Sequence, residues 1–253
     1  MREMPTSEDP THVRGAAPAG TVDRESAARA VQEMFTEIAP RYDLLNHLLS
    51  VNVDKLWWRR TAKAFSTILT QPSARVLDLC CGTGDMTFAL WREGPRAQIA
   101  GADFSHAMLK LAQKKTSSSS RVKWIEADAL QLPFSDQSFD LITSAFGFRN
   151  LADYDAGFRE IWRVLKPGAE FGILEFSEPK GILGKLYRLY FKQILPRIGG
   201  LVSGTSAYQY LPASVERFPS PAELISRMRA AGFREVRWTP YTFGVAGLFR
   251  GMK

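Results

Sequence analysis

The sequence has little of what builds a stapled or metal-bound fold. Of its 253 residues only Cys80 and Cys81 are cysteines, and they adjoin each other. Two adjacent cysteines exclude a disulfide framework and a Cys-rich zinc site. His12, His47 and His106 are the three histidines, too scattered to read as a metal cluster, and no metal is expected. No apolar run approaches the roughly 18 residues needed to span a bilayer, and the N-terminal stretch MREMPTSEDPTHVRGAAPAG lacks the apolar centre of a signal peptide. The compartment these absences suggest is a reducing one, the cytoplasm. Negative charge is also short, with 26 Asp and Glu against 33 Lys and Arg, for a net charge of +7. That surplus suits an anionic partner, nucleic acid or a membrane surface, and identifies neither. The remaining composition, 45% hydrophobic and 23% charged, is that of an ordinary globular chain. α/β folds run to this length as one domain.

Residues 1–22 carry three prolines and few large apolar side chains, so they are expected to form a flexible tail. From there the pattern turns helical. Val31, Met34, Phe35 and Ile38 fall on one face of an amphipathic helix, with Asp23 as its N-cap and Pro40 as its stop. A second helical stretch holds Leu44, Leu45, Leu48 and Leu49, and a third runs from about Asp54 to Leu69. After Pro72 strands and helices alternate. RVLDL, AQIAGA, VKWIE, FDLITS and EFGILEF read as five strands, with helices after the first, second and fourth. Such alternation implies a parallel sheet covered on both faces. A terminal hairpin is expected around Thr239-Pro240, within 235–249.

Asp78-Leu-Cys-Cys-Gly82-Thr83-Gly84-Asp85 follows the first strand and opens a helix. Glycines let a backbone turn sharply and approach a ligand closely, and the free N–H groups of a helix start favour a negative group. The loop suits a dinucleotide or S-adenosylmethionine. The dinucleotide fingerprint requires a third glycine, where this chain has Thr87. Asp103 closes the second strand, where a carboxylate can accept hydrogen bonds from two ribose hydroxyls or cap the helix that begins near Ser105. Asp128 and Ala129 follow the third strand, placed to meet an adenine amino group and ring nitrogen or to cap a loop. Ligands of open α/β sheets sit at this edge.

RYDLLNHLLS, LDLCCGTGD, AFGFRN, RVLKPG and AYQYLPASVERFP together resemble the ubiquinone/menaquinone biosynthesis C-methyltransferase family from about Met34 to the end of the chain. The resemblance implies a class I S-adenosylmethionine-dependent methyltransferase fold: α/β and Rossmann-like, with N-terminal helices and a seven-stranded, mostly parallel sheet whose last strand is antiparallel. It implies one methyltransferase domain over 23–253, in which 23–70 form a helical lid and 178–218 a substrate-side helical insertion. S-adenosyl-L-methionine is the implied cofactor. Its expected contacts are Gly82, Thr83, Gly84, Asp103, Asp128 and Ala129. The implied acceptor is a polyprenyl hydroquinone, most simply demethylmenaquinol, with the benzoquinol of ubiquinone biosynthesis as the alternative.

Methyl transfer to a ring carbon needs alignment of that carbon with the methyl and electron release from the neighbouring quinol hydroxyl, favoured when its oxyanion is stabilised. Arg149 and Asn150, after the fourth strand, are the expected catalytic pair at the acceptor. Arginine holds an oxyanion rather than acting as a base; its competing role is an ion pair with a neighbour such as Asp153. Tyr42 is expected on the lid as a substrate residue. Between Glu178 and Glu216 the chain has no acidic residue, and Lys185, Arg188 and Lys192 flank an apolar helical stripe. This pattern suits transient contact with the inner face of a membrane. Nucleic acid is not expected, because no Asn/Asp-Pro-Pro-aromatic motif follows the fourth strand. A homodimer stays open.

Overall fold

The structure, a computed structural model, describes residues 15–39, 53–117, 120–177, 179 and 207–253. Tyr42, the expected leucine-rich helix around 44–49 and most of the 178–218 insertion, including its basic stripe, lie outside the described residues. Helix α1 (Arg24–Ile38) starts where Asp23 caps it: the Ser26 N–H donates to Asp23 Oδ1 (2.7 Å), and the Asp23 N–H donates back to Ser26 Oγ (3.1 Å). Such a reciprocal cap satisfies two N–H groups that would otherwise lack partners.

Seven strands follow, β1 (Arg75–Leu79), β2 (Gln98–Asp103), β3 (Lys123–Glu126), β4 (Phe139–Ala145), β5 (Leu165–Phe176), β6 (Arg234–Tyr241) and β7 (Ala246–Met252). They form one sheet in the order β3-β2-β1-β4-β5-β7-β6. β1 pairs in parallel with β2 and β4, and β7 runs antiparallel to both β5 and β6. The expected seven-stranded sheet with an antiparallel last strand is therefore what the chain builds. Pro240 fits because β6 is an edge strand, where a missing ladder donor costs little.

Alternate side chains leave the sheet on opposite faces, and each face is covered. Leu77, Ile142, Phe171 and Ile173 pack with Phe158 and Ile161 of helix α6 (Tyr154–Val164) and with Leu224 and Met228 of α8 (Pro221–Ala230). Val76, Leu141, Leu174 and Leu248 pack with Trp57 of α2 (Val53–Ala64), Leu69 of α3 (Ser66–Leu69) and Leu90 of α4 (Asp85–Glu93). Helix α5 (His106–Lys115) lies between β2 and β3, and α7 (Ala207–Arg217) precedes α8 in the chain.

The fold departs from the sequence pattern at three places. The helix expected over Asp54–Leu69 breaks at Phe65, which leaves helical geometry (ψ 16°). Its ring presses on β5 at Gly172, where a Cβ would come within 2.4 Å; docking the ring outweighs continuing the helix. The Lys166-Pro167-Gly168 stop is part of β5 itself, with a register irregularity that absorbs it. Packing also begins inside the expected tail. Ala16 is buried, and its N–H donates to the Leu151 carbonyl (2.7 Å). A Cβ at Gly15 would come within 2.0 Å of that same carbonyl. Small residues pack here backbone to backbone, so a scarcity of large apolar side chains misplaces the boundary.

Candidate active site

The strand order reverses between β1 and β4, and ligands of open α/β sheets bind at the carboxyl ends beside such a switch point. A cavity of about 1000 Å³, its open mouth included, lies there. Its walls come from the ends of four strands: Asp78 to Thr83 after β1, Asp103 and Phe104 after β2, Ala127 to Leu130 after β3, and Ala145 to Gly147 with Asn150 after β4. Phe35 of α1 and Trp58 of α2 also line it. α1 is tied to this edge: Gln32 Nε2 donates to the Phe104 carbonyl (2.7 Å), and Thr36 Oγ1 lies 3.2 Å from Ser105 Oγ.

The loop after β1 turns through the left-handed region three times, at Cys80 (φ 55°), Gly82 (φ 54°) and Gly84 (φ 89°). Gly84 is needed twice over, since a Cβ there would also meet the Trp124 ring at 2.5 Å. At the end of β4 Phe146 is left-handed as well (φ 57°), and a Cβ on Gly147 would sit 2.4 Å from Cys80 Cβ. The ends of β1 and β4 thus meet backbone to backbone, with strain at two non-glycine residues. Such strain persists where surrounding structure holds it, commonly at functional sites.

Asp103 ties the loops together. Its Oδ2 accepts from the Gly82 N–H (2.8 Å), and its Oδ1 accepts from the Ser105 N–H (2.9 Å). The N-cap of α5 is Ser105, whose side chain accepts from the Met108 N–H, so Asp103 does not serve as the cap. Burial pushes the Asp103 carboxyl up to about 6, although the Ser105 and Gly82 hydrogen bonds pull it down. Asp78, buried deeper in the same wall, accepts from Thr87 Oγ1 (2.6 Å) and Thr143 Oγ1 (2.9 Å). Burial pushes it up to about 7 against the pull of those two hydroxyls. Thr87, which departs from the dinucleotide fingerprint, is buried as the partner of Asp78. Burial, with the Asp103 and Asp78 carboxylates nearby, also pushes both cysteine thiols up, which keeps them protonated and weakly nucleophilic.

A model of the ubiE/COQ5 methyltransferase family matches residues 22–253. The chain belongs to that family. It is 50% identical over 234 residues to a demethylmenaquinone methyltransferase of Deinococcus radiodurans, covering 91% of this chain and 95% of that one. It is likewise 50% identical to the Thermus thermophilus protein of the same name, over 86% of this chain and 99% of that one. A ubiquinone/menaquinone biosynthesis C-methyltransferase of Geotalea daltonii is 44% identical over 88% of this chain and 96% of its own. In fold, the chain is similar to a crystal structure of an S-adenosylmethionine-dependent methyltransferase from Thermotoga maritima. The TM-score is 0.62 at 20% identity, over 88% of this chain and 99% of that one.

Within this methyltransferase, the sequence-expected cofactor residues converge. Gly82, Thr83, Asp103, Asp128 and Ala129 all line the cavity, while Gly84 shapes the turn behind it. Thr83 Oγ1 accepts from Lys115 Nζ (2.9 Å), and Asp128 Oδ1 accepts from the Leu130 N–H (2.9 Å). The expected catalytic pair separates. Asn150 lines the cavity and its Oδ1 accepts from Tyr210 Oη (3.1 Å), which leaves the amide nitrogen as the end it can offer a ligand. Arg149 does not line the cavity. It is buried in an ion pair with Glu175 (3.1 Å) and donates to the Phe146 carbonyl. The competing ion-pair role is thus the one it fills, though with Glu175 rather than Asp153, which pairs with Arg24 (2.6 Å) and caps α6. Composition gave no hint of this, because Glu175 is far along the chain and meets Arg149 only through the pairing of β4 with β5. Asp78, Phe35 and Trp58 also line the cavity and Tyr210 meets Asn150, beyond the residues that the motifs single out. Asp78 had a signal, as the acidic head of the Gly-loop motif. The other three reach the cavity and Asn150 from helices outside the strand-end pattern.

Proposed function

We propose that this methyltransferase transfers a methyl group from S-adenosylmethionine to a ring carbon of a polyprenyl hydroquinone, converting demethylmenaquinol to menaquinol. The observation that carries the reading is the mixed lining of the cavity at the switch point, which combines a glycine cradle and a buried carboxylate with the apolar side chains of Phe35, Trp58, Phe146 and Leu151. The residues fit the donor. Asp103, already aligned by two backbone N–H groups, accepts the ribose hydroxyls. Asp128 and Ala129 meet the adenine edge. Gly82, Thr83 and the N-terminus of α4 face the amino-acid end. When bound, S-adenosylmethionine supplies a sulfonium methyl to an electron-rich carbon.

The chain's own part is alignment, exclusion of water and stabilisation of the acceptor oxygen. The apolar wall holds the flat quinol ring and keeps water from the reacting face. Asn150, with its carbonyl oxygen engaged by Tyr210, presents its amide N–H to the acceptor hydroxyl or its oxyanion. Arg149 is a positioning residue: by gripping the Phe146 carbonyl it fixes the left-handed turn that forms this wall. Tyr42 belongs to the acceptor side on sequence grounds. The names of the relatives at 50% identity support the naphthoquinol, and that of the 44% relative supports the benzoquinol as a second acceptor.

The test is incubation of the full chain with radiolabelled methyl donor and, separately, a reduced demethylnaphthoquinone and the corresponding benzoquinone. Label in the reduced naphthoquinone is expected, and none should appear when the quinone is supplied oxidised. Label in neither reduced acceptor would end the reading.

A further inference from the structure

The outer face of α2 has a composition that the cavity does not explain. Lys55, Leu56, Arg59, Arg60 and Lys63 recur at helical spacing and are all exposed, while Asp54, Trp57, Trp58, Thr61 and Ala62 on the other face are buried. Arg92 and Glu93 of α4 line the same groove, so five cations there face two carboxylates, Asp85 and Glu93. Arg60 stacks over the Tyr241 ring at 4.3 Å. Lys55, Arg59, Lys63 and Arg92 have no acidic partner within ion-pair distance among the described residues. The nearby Asp85 is engaged by Lys115 (3.1 Å).

Two large apolar side chains accompany these cations. Leu56 is 59% exposed on the helix itself, and Phe243 is 81% exposed at the tip of the β6–β7 turn. That turn is fastened to α2, because Trp57 Nε1 donates to Thr242 Oγ1 (2.7 Å). Phe243 is held outward on a left-handed backbone (φ 57°), a conformation that a bulky residue adopts at a cost. Trp58 lines both this groove and the cavity, so the patch stands beside the cavity's wall.

We propose that the outer face of α2, with Arg92 and the Phe243 turn, is the surface on which the protein docks to an anionic phospholipid bilayer. The cations meet lipid phosphates, and Leu56 and Phe243 enter the headgroup layer. Cations flanked by exposed apolar side chains suit a lipid interface, which offers negative charge above an apolar interior. A nucleic acid would match the cations and leave the two apolar side chains against a polar backbone. The inference rests on the proposed polyprenyl acceptor, which resides in lipid, and gives that acceptor a short path to the cavity.

Sedimentation of the full chain with phosphatidylglycerol/phosphatidylcholine vesicles tests it. Each cation near such a surface contributes about 1 kcal/mol, or about fivefold in partitioning. The Lys55→Gln/Arg59→Gln/Lys63→Gln variant should therefore bind about a hundredfold more weakly at low salt. Leu56→Ser/Phe243→Ser should also bind more weakly while keeping the wild-type salt dependence. All five positions are exposed, and melting curves would check the fold; if the triple variant misfolds, the second variant carries the test. Wild-type-like vesicle binding by either folded variant overturns the proposal. So does binding lost only on charge reversal at Lys185, Arg188 and Lys192, or wild-type binding to duplex RNA with none to vesicles. Failure of the wild type to methylate a detergent-dispersed short-chain quinol would overturn the acceptor reading, whereas the docking surface is judged by vesicle binding.

Discussion

At the scale of single residues, two buried carboxylates do different work. Asp103 is aligned by the Gly82 and Ser105 N–H groups, so on the proposed reading it would meet ribose hydroxyls with little reorganisation. Asp103→Ala would remove the hydrogen bonds proposed to the donor ribose and leave the Gly82 and Ser105 N–H groups unpaired. Cofactor binding should weaken by about 2–4 kcal/mol, read by calorimetry; unchanged affinity would remove Asp103 from the donor site. Asp78 is the more strained of the two in electrostatic terms, with a carboxyl at about 7 against about 6 for Asp103. Both values lie above the ordinary 3.8 of an unfolded chain. Between about pH 4 and pH 7 these two groups therefore hold more protons in the folded than in the unfolded chain, and their contribution to stability falls as pH rises through that window. The slope is at most about 1.4 kcal/mol per pH unit for each group. Asp78→Asn keeps acceptor and donor atoms for Thr87 and Thr143 and removes the proton. Its melting temperature should fall less between pH 4 and pH 7 than that of the wild type. An identical profile would show that Asp78 ionises normally.

At the scale of elements, the short 3-10 turn at Phe148–Asn150 is fastened to the end of β5. Glu175 accepts from the Arg149 side chain and from the backbone N–H groups of Arg149 (3.1 Å) and Phe176 (3.2 Å). Removing one partner of a buried pair leaves an uncompensated charge, at a cost of about 3–5 kcal/mol. Arg149→Met should accordingly lower the melting temperature by about 6–20 °C for a domain of this size. Adding Glu175→Gln should restore part of that stability, because the amide oxygen still accepts from the two backbone groups. Turnover should stay low in both variants, since neither holds the Phe146 carbonyl. Recovery of turnover along with stability would show that the pair matters to the fold alone. This contact also marks the limit of what the sequence discloses. The Gly loop, Asp103 and Asp128 were legible because each follows directly on a strand, and local order alone puts successive strand ends on one edge. The Asp23 cap was legible for the same local reason. Arg149 was not, because its partner depends on which strand lies beside β4. The break at Phe65 was hidden likewise, since the space it fills exists only where Gly172 lies on the facing strand.

At the scale of the whole molecule, the cavity proposed as the donor site spans the strand ends, and both layers of the core border it. A ligand there should stabilise the domain as a unit. Binding to the folded state alone contributes RT ln(1 + [L]/Kd), about 2.7 kcal/mol at a hundred times Kd. For a domain of 150–250 residues each kcal/mol raises the melting temperature by about 2–4 °C, so saturating S-adenosylmethionine should raise it by about 5–11 °C. NAD carries a pyrophosphate as well as adenosine. The chain has Thr87 where the dinucleotide fingerprint has glycine, and the Thr87 side chain is committed to Asp78, so the helix start is not cut back to admit that group. NAD at the same concentration should leave the melting temperature within about 1 °C of the free protein, and Asp103→Ala should lose most of the shift given by S-adenosylmethionine. Equal shifts from both nucleotides would mean that the site recognises adenosine and nothing of the methionine end. The glycine cradle would then have to be reassigned from the donor's amino acid to a phosphate.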